Sequence, residues 1–149
     1  MRTLRLRQTR WLSRMGRIVT HVTIVNALDP AHEISCEALV DTGAWGLMLP
    51  RAWKERLGAF QMTRTVEMVA ADQRVVSGEV CGPVTIQIEG WEPVSSEVTF
   101  VDMELEGGRY RPLLGYTVLE QAGLAADVVG GRLLKVPPPD LRAASGSSG

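Results

Sequence analysis

The chain has 149 residues, a single domain's worth, of which 45% are apolar and 22% charged, an ordinary globular balance with enough hydrophobic side chain for one core. No stretch approaches the ~18 consecutive apolar residues of a membrane-spanning helix, which excludes one. The net charge of −1 is uneven: six of the 16 basic residues (Arg2, Arg5, Arg7, Arg10, Arg14, Arg17) lie in residues 1–17 with no acid, leaving 10 against all 17 acidic residues, net −7, in a body poorly suited to nucleic-acid phosphates.

Residues 1–17 read as a basic, disordered arm, with Met15 as an alternative start and an anionic partner as the alternative use. A secretory signal needs an apolar core after its basic stretch, whereas Ile18-Val19 meets Thr20 and His21 at once. The domain is expected over 18–142. His21–Asn26 alternates and is β-branched, predicting a strand; Leu28–Ala31 is a turn; Glu33–Val40 is a strand running from an edge into the core. Leu47–Leu49 is a short buried run, and Arg51–Leu57, between Pro50 and Gly58, a short helix. Thr63–Ala70 and Arg74–Glu79 form a long hairpin; Pro83–Glu89 and Ser95–Val101 are two further strands. Tyr116–Ala122, between Gly115 and Gly123, is a second short helix, and Ala125–Val129 and Arg132–Val136 flank a two-residue turn at Gly130-Gly131. Residues 143–149 are small and polar, a disordered tail. The sum is an all-β domain of about eight short strands, a small closed or sandwich-like barrel carrying two helices too short to stand alone.

The chemistry concentrates at Ala38-Leu-Val-Asp41-Thr42-Gly43-Ala44. A carboxylate at the mouth of a core strand is costly unless hydrogen-bonded or used. Gly43 lets the backbone turn tightly with its N–H toward that carboxylate, and Thr42 can hydrogen-bond across an interface. Asp-Thr-Gly alone is also an ordinary strand-end turn. Its context is more specific: an apolar run before it, Leu47-Met-Leu49-Pro50 and a helix after it, then Pro112-Leu113-Leu114-Gly115 leading into the second helix.

These paired elements resemble the retropepsin-like aspartic proteases, most closely the small single-domain bacterial members, across roughly residues 18–142. The resemblance implies a small closed β-barrel in which the two elements cross in a ψ shape. It implies Asp41 as catalytic aspartate, Thr42 as the lock between two active-site loops, and Gly43 and Ala44 as the rest of that loop. Leu113, Leu114 and Gly115 become the supporting loop, with Gly115 approaching the active-site loop too closely for a β-carbon. The hairpin tip Ala70-Ala71-Asp72-Gln73-Arg74 becomes a flap over the substrate. Two departures stand out: Gln73 where glycine is usual, and Trp45 where a smaller or polar residue is usual.

Such chemistry needs two carboxylates sharing one proton, the ionised one activating water and the protonated one serving the carbonyl. Asp29, Asp72, Asp102, Asp127 and Asp140 lack the following Thr/Ser-Gly. The resemblance therefore implies a homodimer with its active site on the two-fold axis, acting on an extended peptide or protein, with no cofactor and no metal. The rival is a non-catalytic dimeric barrel that binds an extended peptide or partner in the same groove. Leu47, Met48, Leu49, Val75 and Val76 are candidates for apolar subsites. His21 and His32 are too few and too far apart in sequence for a metal site, Cys36 has no evident oxyanion element or orienting partner, and Ser95-Ser96 has no nucleophile-elbow context. Cys36 and Cys81 can form one bridge, but two buried free thiols in a reducing, cytoplasmic setting fit better. Of the tryptophans, Trp53 is expected in packing, while Trp11, Trp45 and Trp91 can be exposed.

Overall fold

The computed structural model describes residues 17–69 and 72–137. The arm up to residue 16, the tail, and the expected flap residues Ala70 and Ala71 lie outside the described residues. In chain order the elements are β1 (Val19–Asn26), β2 (Glu33–Val40), β3 (Leu47–Pro50), a 3₁₀ helix (Arg51–Leu57), β4 (Met62–Val69), β5 (Val75–Ile88), β6 (Val94–Val101), β7 (Leu113–Leu114), α1 (Tyr116–Ala122), β8 (Leu124–Asp127) and β9 (Arg132–Lys135).

Six strands close on themselves in the order β1-β2-β7-β3-β6-β5, with β5 pairing back onto β1 from Val22↔Ile88 to Asn26↔Val84. The all-β closed barrel is as expected. Strand β4 lies outside the ring and continues β5 as a hairpin, and β8 and β9 form a separate two-stranded sheet. The period of two sorts the side chains: Val22 and Ile24 of β1, Leu47 and Leu49 of β3, Ile86 and Ile88 of β5, and Val98 and Phe100 of β6 all point inward and are fully or almost fully buried. Burying each contributes roughly 1.5–3 kcal/mol. The buried Asn26 side chain fastens β1 to the segment after the 3₁₀ helix: its Nδ2 donates to Leu57 O and Ala59 O, both at 2.8 Å, and its Oδ1 accepts from Leu28 N at 3.1 Å.

The structure corrects the expected elements in two places. The runs at 74–79 and 83–89 are one strand, β5. Its pairing with β4 ends at Gly82 and its pairing with β1 begins at Val84, so Pro83 falls where the strand changes neighbours. The β6 register shifts between Cys81 and Val84 at the same place, and the missing proline N–H falls in that irregularity rather than in a regular ladder. The short helix expected at Arg51–Leu57 is present with those bounds, as a 3₁₀ helix with Leu57 its one buried residue. The last turn spans four residues, since Asp127 pairs with Arg132, and Asp127 Oδ1 accepts from Gly130 N at 2.9 Å. Gly107 and Gly108, both at positive φ, form a two-residue turn between the bridged Glu106 and Arg109. Among the described residues no helix is long and apolar enough to cross a membrane.

Candidate active site

Strand β7 is only two residues long, yet it organises the site. It runs parallel to β2 (Leu39↔Leu113, Val40↔Leu114) and antiparallel to β3 (Leu47↔Leu114, Met48↔Leu113). The loop 41–46 therefore leaves one side of β7 and returns on the other. Asp41 N donates to Leu114 O at 3.0 Å, and Leu39 N to Pro112 O at 2.9 Å. The chain leaving β7 then crosses the same loop: Gly115 N donates to Gly46 O (2.9 Å), Tyr116 N to Ala44 O (3.1 Å), and Thr117 donates to Trp45 O from both N (3.0 Å) and Oγ1 (2.8 Å). A β-carbon on Gly115 would lie 2.5 Å from Ala44 O and 2.6 and 2.7 Å from Gly46 N and O, so the crossing is closed to any side chain at that position.

Within the loop, Ala44 N donates to Asp41 O at 3.0 Å and Gly43 N to Asp41 Oδ1 at 2.9 Å. The carboxyl group is thereby oriented by the backbone of its own turn. Asp41 is half-buried, Thr42 and Gly43 are exposed, and Ala44 is buried. Trp45 is exposed and stands edge-on to Tyr116, with ring centroids 5.4 Å apart. Asp41 also forms part of the wall of an open cleft of about 640 Å³ whose apolar side is Leu39, Val40, Met48, Val101 and Leu113.

The fold has a counterpart among solved structures. No family model matches the sequence, and no curated protein does. The EIAV protease complexed with the inhibitor HBY-793 superposes with a TM-score of 0.50 at 23% identity, over 70% of this chain and 86% of that one. The fold is retropepsin-like.

On this retropepsin-like barrel the sequence-predicted residues fall in two groups. Asp41, Thr42, Gly43 and Ala44 meet Leu113, Leu114 and Gly115 at the crossing just described. The expected flap residues Asp72, Gln73 and Arg74 lie at the tip of the β4–β5 hairpin, beyond the Val69↔Val75 pair. Asp72 Oδ1 accepts from Arg74 N at 3.1 Å and its Oδ2 lies 2.6 Å from Arg74 Nε; these contacts, the backbone one first, hold the carboxyl below its usual range. Gln73 has φ 70, the left-handed conformation glycine adopts most easily.

Several expectations need correction. Leu47 and Leu49 are fully buried in the core, and only Met48 of that run reaches the cleft, as alternation along a strand requires. Val75 is exposed and Val76 half-buried, and neither lines the cleft. Trp91 packs partly buried against the core, as does Trp53, while Trp11 lies outside the described residues. Both cysteines are free; Cys81 is buried but Cys36 only partly so. Burial raises both thiols, Cys36 to about 11 despite the opposing charge of Arg56, so neither is poised as a nucleophile. His32 Nδ1 lies 2.8 Å from Asp29 Oδ2, and among the described residues no three metal-ligating side chains converge.

Sequence reasoning missed the charged lining of the cleft, Arg17, Glu104, Glu106 and Arg111, and Met103 with them. The available signal was their position: the dense charged stretch 102–111 immediately precedes the supporting loop.

Proposed function

We propose that this chain is an aspartic endopeptidase, active as a homodimer and similar to the small bacterial retropepsin-like enzymes. Two Asp41 carboxylates meeting at a two-fold axis would share one proton. The ionised group draws a proton from water, and the protonated group delivers one to the peptide carbonyl oxygen. Thr42 locks the two loops together across the axis, Leu113, Leu114 and Gly115 buttress each loop from below, and the β4–β5 hairpin closes over an extended peptide. The observation that carries this reading is the closed crossing at Gly115 beneath an outward-facing Asp41-Thr42-Gly43 turn, in a fold shared with a retroviral protease. A carboxyl oriented by Gly43 N–H, at the edge of a cleft and not in the core, is available to a substrate.

The test is Asp41→Asn. It keeps size and hydrogen-bonding capacity but removes base and acid together, so cleavage of a diverse peptide library should fall by more than about 10³-fold. Removing two facing carboxylates also removes their repulsion, so the dimer should be equally tight or tighter at neutral pH. Residual cleavage within about tenfold of the parent would rule out Asp41 as the acid–base group. A parent that binds library peptides without cleaving them would establish the non-catalytic barrel instead.

A further inference from the structure

We infer that Arg111 is a specificity-determining residue and that the cleft beside Asp41 receives a glutamine side chain of the peptide substrate; the inference rests on the protease reading for its cleavage readout.

The cleft has a mixed lining. Met48 and Leu113 supply apolar lining beside Asp41, and Arg111 supplies charged lining to the same cleft. Its backbone is well anchored, because the next residue, Pro112, accepts the hydrogen bond from Leu39 N that begins the β2–β7 ladder. Its side chain is only about one-third exposed (36%). Nε lies 3.1 Å from Glu106 Oε2, an ion-pair distance, but the N–H is not directed along that line and the buried Nε has no hydrogen bond. Among the described residues no hydrogen bond engages the terminal Nη groups either. Glu106 is itself fixed by the tight Gly107-Gly108 turn, with Glu106 N donating to Arg109 O and Arg109 N to Glu106 O at 2.7 and 3.1 Å. The arginine is thus held in the wall with donors to spare.

Chemistry narrows what those donors can take. Arginine offers donors only, so the complementary group is an acceptor at the end of an apolar stem. An aliphatic or methionine side chain would dehydrate the guanidinium without replacing its hydrogen bonds. A carboxylate is opposed by the acids of the same cleft, where Asp41, Glu104 and Glu106 outnumber Arg17 and Arg111. A neutral amide avoids that opposition: its oxygen accepts from Arg111, and its NH₂ suits Glu104, which forms no ion pair among the described residues. At about 640 Å³ the cleft has room for this side chain and its backbone.

The experiment compares matched peptides differing only by Gln or Met, which are close in size, at each position of a sequence cleaved by the full-length protein. At one position kcat/KM should favour Gln by about tenfold, the scale of one hydrogen bond to a charged group. Arg111→Met should erase or invert that preference while Met peptides are still cleaved, and Arg111→Lys, which keeps charge but not the planar fork, should retain a reduced preference. Binding of the same peptides to Asp41→Asn, followed by fluorescence anisotropy, should show the same order. Equal or better cleavage of Met peptides at every position overturns the inference and leaves the protease reading standing. An unchanged Gln preference in both folded Arg111 variants overturns it equally. Gln-selective binding without cleavage by the parent would overturn the protease reading and keep the selectivity of the cleft.

Discussion

Two residues carry backbone demands that single substitutions can measure. Gly115 has an ordinary φ of −90, so what it requires is space and not a rare conformation. The atoms a β-carbon would strike are backbone, and Ala44 O and Gly46 O are themselves held by Tyr116 N and Gly115 N. They can yield only by opening the crossing. Gly115→Ala should therefore cost about 2–4 kcal/mol, read as a fall in the urea midpoint at unchanged slope. A variant as stable as the parent would mean that the crossing is loose. Gln73 is the reverse case, a side chain in a conformation that suits glycine, with a cost of roughly 1–2 kcal/mol. Gln73→Gly relieves that strain but gives the unfolded chain more freedom, worth roughly 0.5–1 kcal/mol in the other direction. The expected net is a stability change within about 1 kcal/mol, whereas the β-branched Gln73→Val should lose more than about 1 kcal/mol. Equal stability of the two variants would contradict the left-handed geometry at the tip. Both positions were legible through the retropepsin-like resemblance, Gly115 as the end of the supporting loop and Gln73 as a departure from the usual glycine.

Elements were legible wherever one local rule decided them. Alternation located β1, β2 and β6, and Gly123 stopped α1, where it adopts the left-handed cap with its N–H on Glu120 O. Reading failed where a partner distant in sequence decided. Pro83 looks like a strand break and is a change of neighbour. The short helix expected over Arg51–Leu57 is present, as a 3₁₀ helix tied down from outside. That tie is Glu79 of β5, which accepts from Arg51 Nη1 at 2.7 Å and Lys54 Nζ at 2.5 Å. The Lys54 hydrogen bond, with the two positive charges, holds the Glu79 carboxyl below its ordinary 4.5, and the same bond holds Lys54 above its ordinary 10.5. A depressed carboxyl contributes stability that is complete above 4.5 and lost as pH falls through the folded value; a raised amine contributes stability that is complete below 10.5 and lost as pH rises through the folded value. The tie is therefore intact across the neutral range and fails first in acid. Glu79 is a quarter exposed, which limits its worth to on the order of 1 kcal/mol. Glu79→Gln should lower the urea midpoint at pH 7 and have a much smaller effect at pH 3. An equal loss at both values would show that packing, not charge, fastens the helix.

At the scale of the whole molecule, closure of the barrel brings together what no local pattern could. Arg111 and Glu104 carry no local motif, and they share the lining of one cleft with Met48, which the β2–β7–β3 arrangement positions. The same closure bears on the number of chains an active site needs. Of the other aspartates among the described residues, Asp29 faces His32, Asp72 faces Arg74, Asp102 faces Arg51 and Asp127 faces Arg132. None of these lines the cleft with Asp41. If the second carboxylate belongs to another copy, catalysis is a property of the dimer. Specific activity should then be constant at high concentration and, far below the dimer dissociation constant, fall about tenfold for each tenfold dilution, because dimer concentration scales with the square of protomer concentration. Mixing supplies a sharper version. Adding an equal amount of Asp41→Asn to the parent above that constant doubles the number of dimers but leaves one in four with both aspartates, so with exchange complete total activity should drop to about half. A monomeric enzyme would be unaffected by dilution and by mixing, and its second carboxylate would have to be Glu104 or Glu106 of the same chain, the other acids of the cleft. Unchanged activity in the mixture, with sedimentation showing monomer, would therefore overturn the dimeric mechanism, and Glu104→Gln and Glu106→Gln would then identify the second acid by which of them abolishes cleavage.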